Sequence, residues 1–62
     1  MNEVKFEMEC ISVEKWIRNV TFHLGMARTA ALPLDRTTWL LQAIGDLKCA
    51  KLQLDRCRKM LR

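Results

Sequence analysis

The stretch Leu40-Leu41-Gln42-Ala43-Ile44-Gly45-Asp46-Leu47-Lys48-Cys49-Ala50-Lys51-Leu52-Gln53-Leu54-Asp55-Arg56-Cys57-Arg58-Lys59-Met60-Leu61 decides the fold. Within it Leu40, Ala43, Leu47, Ala50, Leu54, Cys57 and Leu61 recur in alternating steps of three and four. That period is helical and places all seven on one seam. Leu fills every first heptad position and a small residue (Ala43, Ala50, Cys57) every fourth, a pattern that admits a second helix at close range. The seam therefore predicts a helix that packs on another helix, and it carries no chemistry of its own.

Working outward to the N-terminus, residues 3–11 (Glu-Val-Lys-Phe-Glu-Met-Glu-Cys-Ile) admit two readings. Polar and apolar residues alternate as in a half-buried strand, after which Ser12 would cap a helix starting at Val13. Against this, Phe6, Cys10, Val13, Ile17, Val20, Leu24, Ala27 and Ala31 form an unbroken seam of four- and three-residue steps that a strand would interrupt. Glu, Lys and Met also favour helix. The helical reading is preferred, with Asn2 as its N-cap; a strand followed by two helices is the alternative.

The only Pro, Pro33, lies in Ala31-Leu32-Pro33-Leu34-Asp35, where the chain must turn because the residue before a Pro resists helical geometry. The expected organisation is all-α, a single domain over 1–62: helix over about 3–30, turn over about 31–34, helix over about 35–61. The second helix is capped by Asp35 or has Pro33 in its first turn. A short connection makes the helices antiparallel neighbours. Such a hairpin sets Glu3 opposite Arg62, Glu7 opposite Arg58, Glu9 opposite Arg56 and Glu14 opposite Lys51, which predicts four charge pairs that fix register.

Half of the residues are apolar, and a two-helix hairpin cannot cover them all. Trp16, Phe22, Trp39, Leu41, Ile44 and Leu52 lie off the seam and are the candidate dimer interface, with Val4, Met8 and Ile11 also left over. A homodimer closing a four-helix bundle is the economical solution. Gly25 and Gly45, each costing about 1 kcal/mol inside a helix, would then mark close approach at that second interface.

Candidate chemistry is sparse. Three Cys and one His, with no C-x-x-C pair, encode neither a metal site nor a closed disulfide framework, and no cofactor motif is present. His23 has no acidic residue three or four positions away on its own helix, so a catalytic base would lack its orienting partner. Cys10 and Cys57 fall where they could meet near the open end, and the ordinary reading is two small buried thiols rather than a redox switch. Trp16 and Trp39 are read as dimer core or rim rather than a platform for bases. Arg56, Lys59 and Arg62 are the candidate nucleic-acid contacts, set against the usual role of such residues as a salt-bridged, solvated face. No apolar run reaches the roughly 20 residues of a membrane span. Glu3, Glu7 and Glu9 stand where a secretory signal would be basic and then apolar, so the chain is expected in the cytoplasm, with no membrane contact.

In length, antiparallel plan and the alternation Leu40-Ala43-Leu47-Ala50-Leu54, the chain resembles the Rop-type helical hairpins, plasmid RNA-binding proteins that dimerise into four-helix bundles. The segment Trp16-Ile17-Arg18-Asn19-Val20-Thr21-Phe22-His23 looks like the small accessory proteins encoded in early regions of lambda-like temperate phages. That second resemblance implies an intracellular factor that modifies host or phage development through protein contacts. The reading that follows is a non-enzymatic interaction or regulatory protein, with a second copy of itself and an unidentified larger protein as partners. A nucleic-acid-binding regulator is the alternative.

Overall fold

The computed structural model describes residues 2–61 and consists of two helices, α1 (Glu3–Thr29) and α2 (Pro33–Lys59), packed as an antiparallel hairpin. The N-terminal segment is helical from Glu3, so the alternating pattern of residues 3–11 does not form a strand. The helical period outweighs the local alternation because Val13, Val20 and Ala27 of the longer seam are at least half-buried against α2. Asn2 caps α1, its side chain accepting a hydrogen bond from the Lys5 amide at 3.0 Å.

Three residues make the turn. Ala30 leaves the helical region (ψ 138°), and Leu32, the residue before Pro33, is held extended (φ −95°, ψ 136°). Pro33 then opens α2, where its missing N–H costs nothing. Helix α2 thus begins two residues before the expected start at Asp35, and Leu32 supplies no side-chain cap. The Arg36 guanidinium compensates at the other helix end by donating to the Ala30 carbonyl at 2.7 Å.

The line along which the helices touch differs from the leucine–alanine seam. On α2 the covered side chains are Ala43, Asp46, Ala50 and Cys57, with Gln53 beside them half-buried. Leu40, Leu47 and Leu54 stand about half exposed to one side. On α1 the matching line runs through Val13, Trp16, Val20, His23 and Ala27. Small residues decide this: with Ala43 at 3% and Ala50 at 2% exposure, α1 sits directly over them, and a leucine in the same line would hold it away.

Register differs too. His23 meets Asp46 and Cys10 meets Cys57, whereas the turn centred near residues 32 and 33 would have set His23 opposite Gln42. Among the described residues no carboxylate lies within 4.0 Å of a lysine or arginine nitrogen, so Glu7–Arg58, Glu9–Arg56 and Glu14–Lys51 do not form as intrachain ion pairs. Arg62, expected opposite Glu3, lies outside the described residues. The shifted register accounts for the loss, and Glu7–Arg58 and Glu14–Lys51 are in addition exposed, where a surface pair offers at most about 1 kcal/mol to hold it. What sets the alignment instead is small-residue contact and one buried polar pair. A Cβ placed on Gly25 or Gly45 would meet nothing within 4 Å beyond its chain neighbours and its own helix backbone, so no close approach inside the hairpin accounts for them.

Candidate functional site

Helix α1 brings His23, and helix α2 brings Asp46 and Trp39, to one point between the helices. His23 Nδ1 lies 2.5 Å from Asp46 Oδ2, where the ring N–H donates to the carboxylate. Asp46 is 7% exposed, the one charged residue among the buried side chains. The imidazole stacks on Trp39 (centroids 5.6 Å apart, planes at 23°), while Phe22 meets both rings edge-on at 5.4 and 6.4 Å. His23 has no acidic neighbour on its own helix, and its partner comes from the other one. The signal was present: Asp46 stands three residues after Ala43 and four before Ala50, inside the small-residue stripe. A carboxylate there must be covered by the neighbouring helix and so needs a donor from it.

An imidazole oriented by a buried carboxylate has the geometry of a general base. Among the described residues, however, Asp46 is its only hydrogen-bond partner, and aromatic rings lie against it. A pair of this kind between two helices aligns them, because any slip by a turn would leave a buried carboxylate without a donor.

A second cluster lies at the open end. The Cys57 thiol is buried and meets Cys10; burial, the hydrogen bond with Cys10 and the nearby Glu9 carboxylate push it above the ordinary thiol value. All three cysteines are free. Beside them Lys5 and Glu9 of α1, Arg56 and Lys59 of α2, and Met60 just after α2 line an open depression of about 360 Å³. Two of the candidate nucleic-acid contacts, Arg56 and Lys59, are therefore together, and Arg62 lies outside the described residues. Glu9 shares this depression, and its Oε2 is buried without a hydrogen-bond partner among the described residues. A carboxylate in the middle of the cations opposes a phosphate seated there.

The third feature is a face. Ile17, Leu24, Leu40, Leu47 and Leu54 are between 45% and 53% exposed. A helix turns about 100° per residue, which sets Leu40, Leu47 and Leu54 roughly a quarter-turn from the covered line of α2. Ile17 and Leu24 are displaced in the same rotational sense from the covered line of α1. In antiparallel helices equal senses lead to the same side, so the five side chains share one face of the hairpin.

The candidate dimer residues divide differently. Trp16 and Trp39 are half-buried within the hairpin, and Phe22 packs against Trp39. Leu41 and Leu52 are more than 60% exposed on the back of α2, and Ile44 borders the leucine face. Among the described residues no group of three metal-ligating side chains is assembled, and no helix is long and apolar enough to cross a membrane. No protein-family model matches the chain, no curated protein matches it, and no solved structure matches it.

Proposed function

We propose that this chain is a non-enzymatic interaction protein that pairs with a second copy of itself and regulates a larger protein through the outer surface of the resulting bundle. One observation carries the reading: the leucines of the decisive stretch are left half exposed, while no large side chain anywhere among the described residues is fully buried. Among the described residues the hairpin alone buries only Ala27, Ala43, Ala50 and Cys57 of its apolar side chains. Each buried methyl contributes on the order of 0.8 kcal/mol, against about 1–2 kcal/mol per residue for ordering the backbone. A second apolar surface supplies what is missing. The heptad pattern supports a helical partner of the same kind, since Leu40, Leu47 and Leu54 stand as half-exposed knobs at seven-residue intervals on one side of α2. The likeness to early-region phage accessory proteins supports a host or phage factor as the larger partner.

The self-association is tested by sedimentation equilibrium at micromolar concentration, where a dimer is expected and a folded monomer overturns the reading. The larger partner is tested by affinity capture from host lysate with and without nuclease. A specific protein retained after nuclease supports the proposal.

A second reading, nucleic-acid binding, is favoured by the meeting of Lys5, Arg56 and Lys59 at the open end. It requires sub-micromolar, selective binding that falls about a thousandfold or more between 50 and 200 mM salt and is lost in Arg56→Ala/Lys59→Ala/Arg62→Ala. Weak, unselective binding is the expected result.

A further inference from the structure

We infer that the second copy sits on the Ile17/Leu24/Leu40/Leu47/Leu54 face with the two-fold axis parallel to the helices, so that α1 of each chain packs on α2 of the other and both turns lie at the same end. This rests on the self-association proposed above and goes beyond it by fixing the arrangement. Three observations lead to it.

The first is extent. The Cα trace measures 48 × 14 × 9 Å, a long flat slab whose broad side, with its side chains, approaches the roughly 800 Å² per partner of a stable interface. The opposite broad side mixes Met8 and Met26 with Ser12, Asn19, Gln42 and Cys49, whereas the leucine face is lined by Ile17, Leu24, Leu40, Leu47 and Leu54 and is the more apolar of the two.

The second is shape. Along α2 the exposed leucines alternate with Ala43 and Ala50, which are already under α1. A helix laid beside them meets large knobs at seven-residue intervals. Both hairpins offer the same relief, as a two-fold contact demands.

The third is charge, and it chooses between the two possible axes. Glu7 and Glu14 of α1 and Lys51 and Arg58 of α2 fall beside or just beyond the leucine face, at the same end of the hairpin, and make no ion pairs among the described residues. With the axis parallel to the helices, α1 lies antiparallel to α2 of the second copy. Its acidic half then borders the other chain's basic half: Glu7 towards Arg58, Glu14 towards Lys51. With the axis perpendicular, each helix lies on its own copy. The acidic end of α1 then meets the end carrying Arg28, and Lys51 and Arg58 of α2 meet the end carrying Arg36. The parallel axis also brings Arg28 and Arg36 of the two copies to the same end, so like charges do not separate the two arrangements; it is preferred because both Glu7 and Glu14 then have a basic residue of α2 opposite them.

The primary test places a nitroxide on Leu34→Cys, an exposed position beside the turn, in a chain carrying Cys10→Ala, Cys49→Ser and Cys57→Ala, and measures the distance between labels by pulsed electron–electron resonance. Turns at the same end put the labels about 20–30 Å apart, given helix layers about 10 Å apart. Turns at opposite ends separate them by a distance approaching the 48 Å length of the hairpin. A dimer with the long distance overturns the arrangement and leaves self-association standing; a folded monomer overturns both.

A second measurement keeps the native cysteines. Glu7→Lys/Glu14→Lys and Lys51→Glu/Arg58→Glu are each expected to weaken dimerisation roughly tenfold at low salt, and their mixture is expected to form a heterodimer of near-native affinity. Failure of the mixture to recover, with both variants helical by circular dichroism, overturns the parallel axis.

Discussion

At the scale of single residues the tightest constraint is Asp46 with His23. Removing the carboxylate strands an imidazole N–H between the helices, whereas removing both polar groups strands nothing. Asp46→Ala is therefore expected to lose about 1–3 kcal/mol of stability in urea unfolding at fixed protein concentration. His23→Leu/Asp46→Leu should lose less than the sum of its single variants, with a coupling of about 0.5–3 kcal/mol; additive losses would show that the pair holds nothing. Cys57 gives a pH dependence of defined sign. Its thiol is pushed above the ordinary value near 9.0 in the folded chain, so above that pH the unfolded chain ionises first and releases its proton. The stability that the neutral, buried thiol contributes is then present below pH 9 and lost as the pH rises through and beyond it. Unfolding midpoints measured from pH 8 to 10 should fall more steeply for the native chain than for Cys57→Ala; parallel curves would remove the effect.

At the scale of the helices, the two N-termini are unequal. Asn2 caps α1 through the Lys5 amide, while Leu32 leaves the first amides of α2 without a side-chain acceptor. Leu32→Asp, at an exposed position, is expected to stabilise the chain by about 0.5–2 kcal/mol through a new cap, read as a higher thermal midpoint; no gain would show that the Pro33 turn cannot bring a side-chain oxygen to those amides. The same scale shows why sequence and structure part company. Both helices, their antiparallel packing, the cap at Asn2 and the turn at Pro33 were legible, because period, capping chemistry and pre-proline geometry are local. The choice of contact line was not. Leu40, Leu47 and Leu54 share a helical stripe with Ala43 and Ala50, and the period cannot say which edge of the stripe a neighbour covers. The buried aspartate points to the covered edge, since Asp46 is tolerated there only because His23 is opposite. Register drifted for a related reason: exposed charges summed along the chain are a weak guide beside one buried pair.

At the scale of the whole molecule, folding and assembly are one process if the leucine face is the missing half of the core. A hairpin that buries only small apolar side chains has little stability to spare, so its helices should melt when the second copy leaves. Two results follow. The thermal midpoint of the native chain should rise with protein concentration, because association stabilises only the folded form. Leu47→Asp, which sets a charge in the middle of the face, should abolish dimerisation and lose helix together, seen as a fall in the 222 nm ellipticity at micromolar concentration. Leu52→Asp makes the matching change on the back of α2, where the side chain is 63% exposed, and should leave both midpoint and mass unchanged. A helical, monomeric Leu47→Asp chain with a concentration-independent midpoint would show that the hairpin stands alone and that its leucine face serves a different protein from the outset.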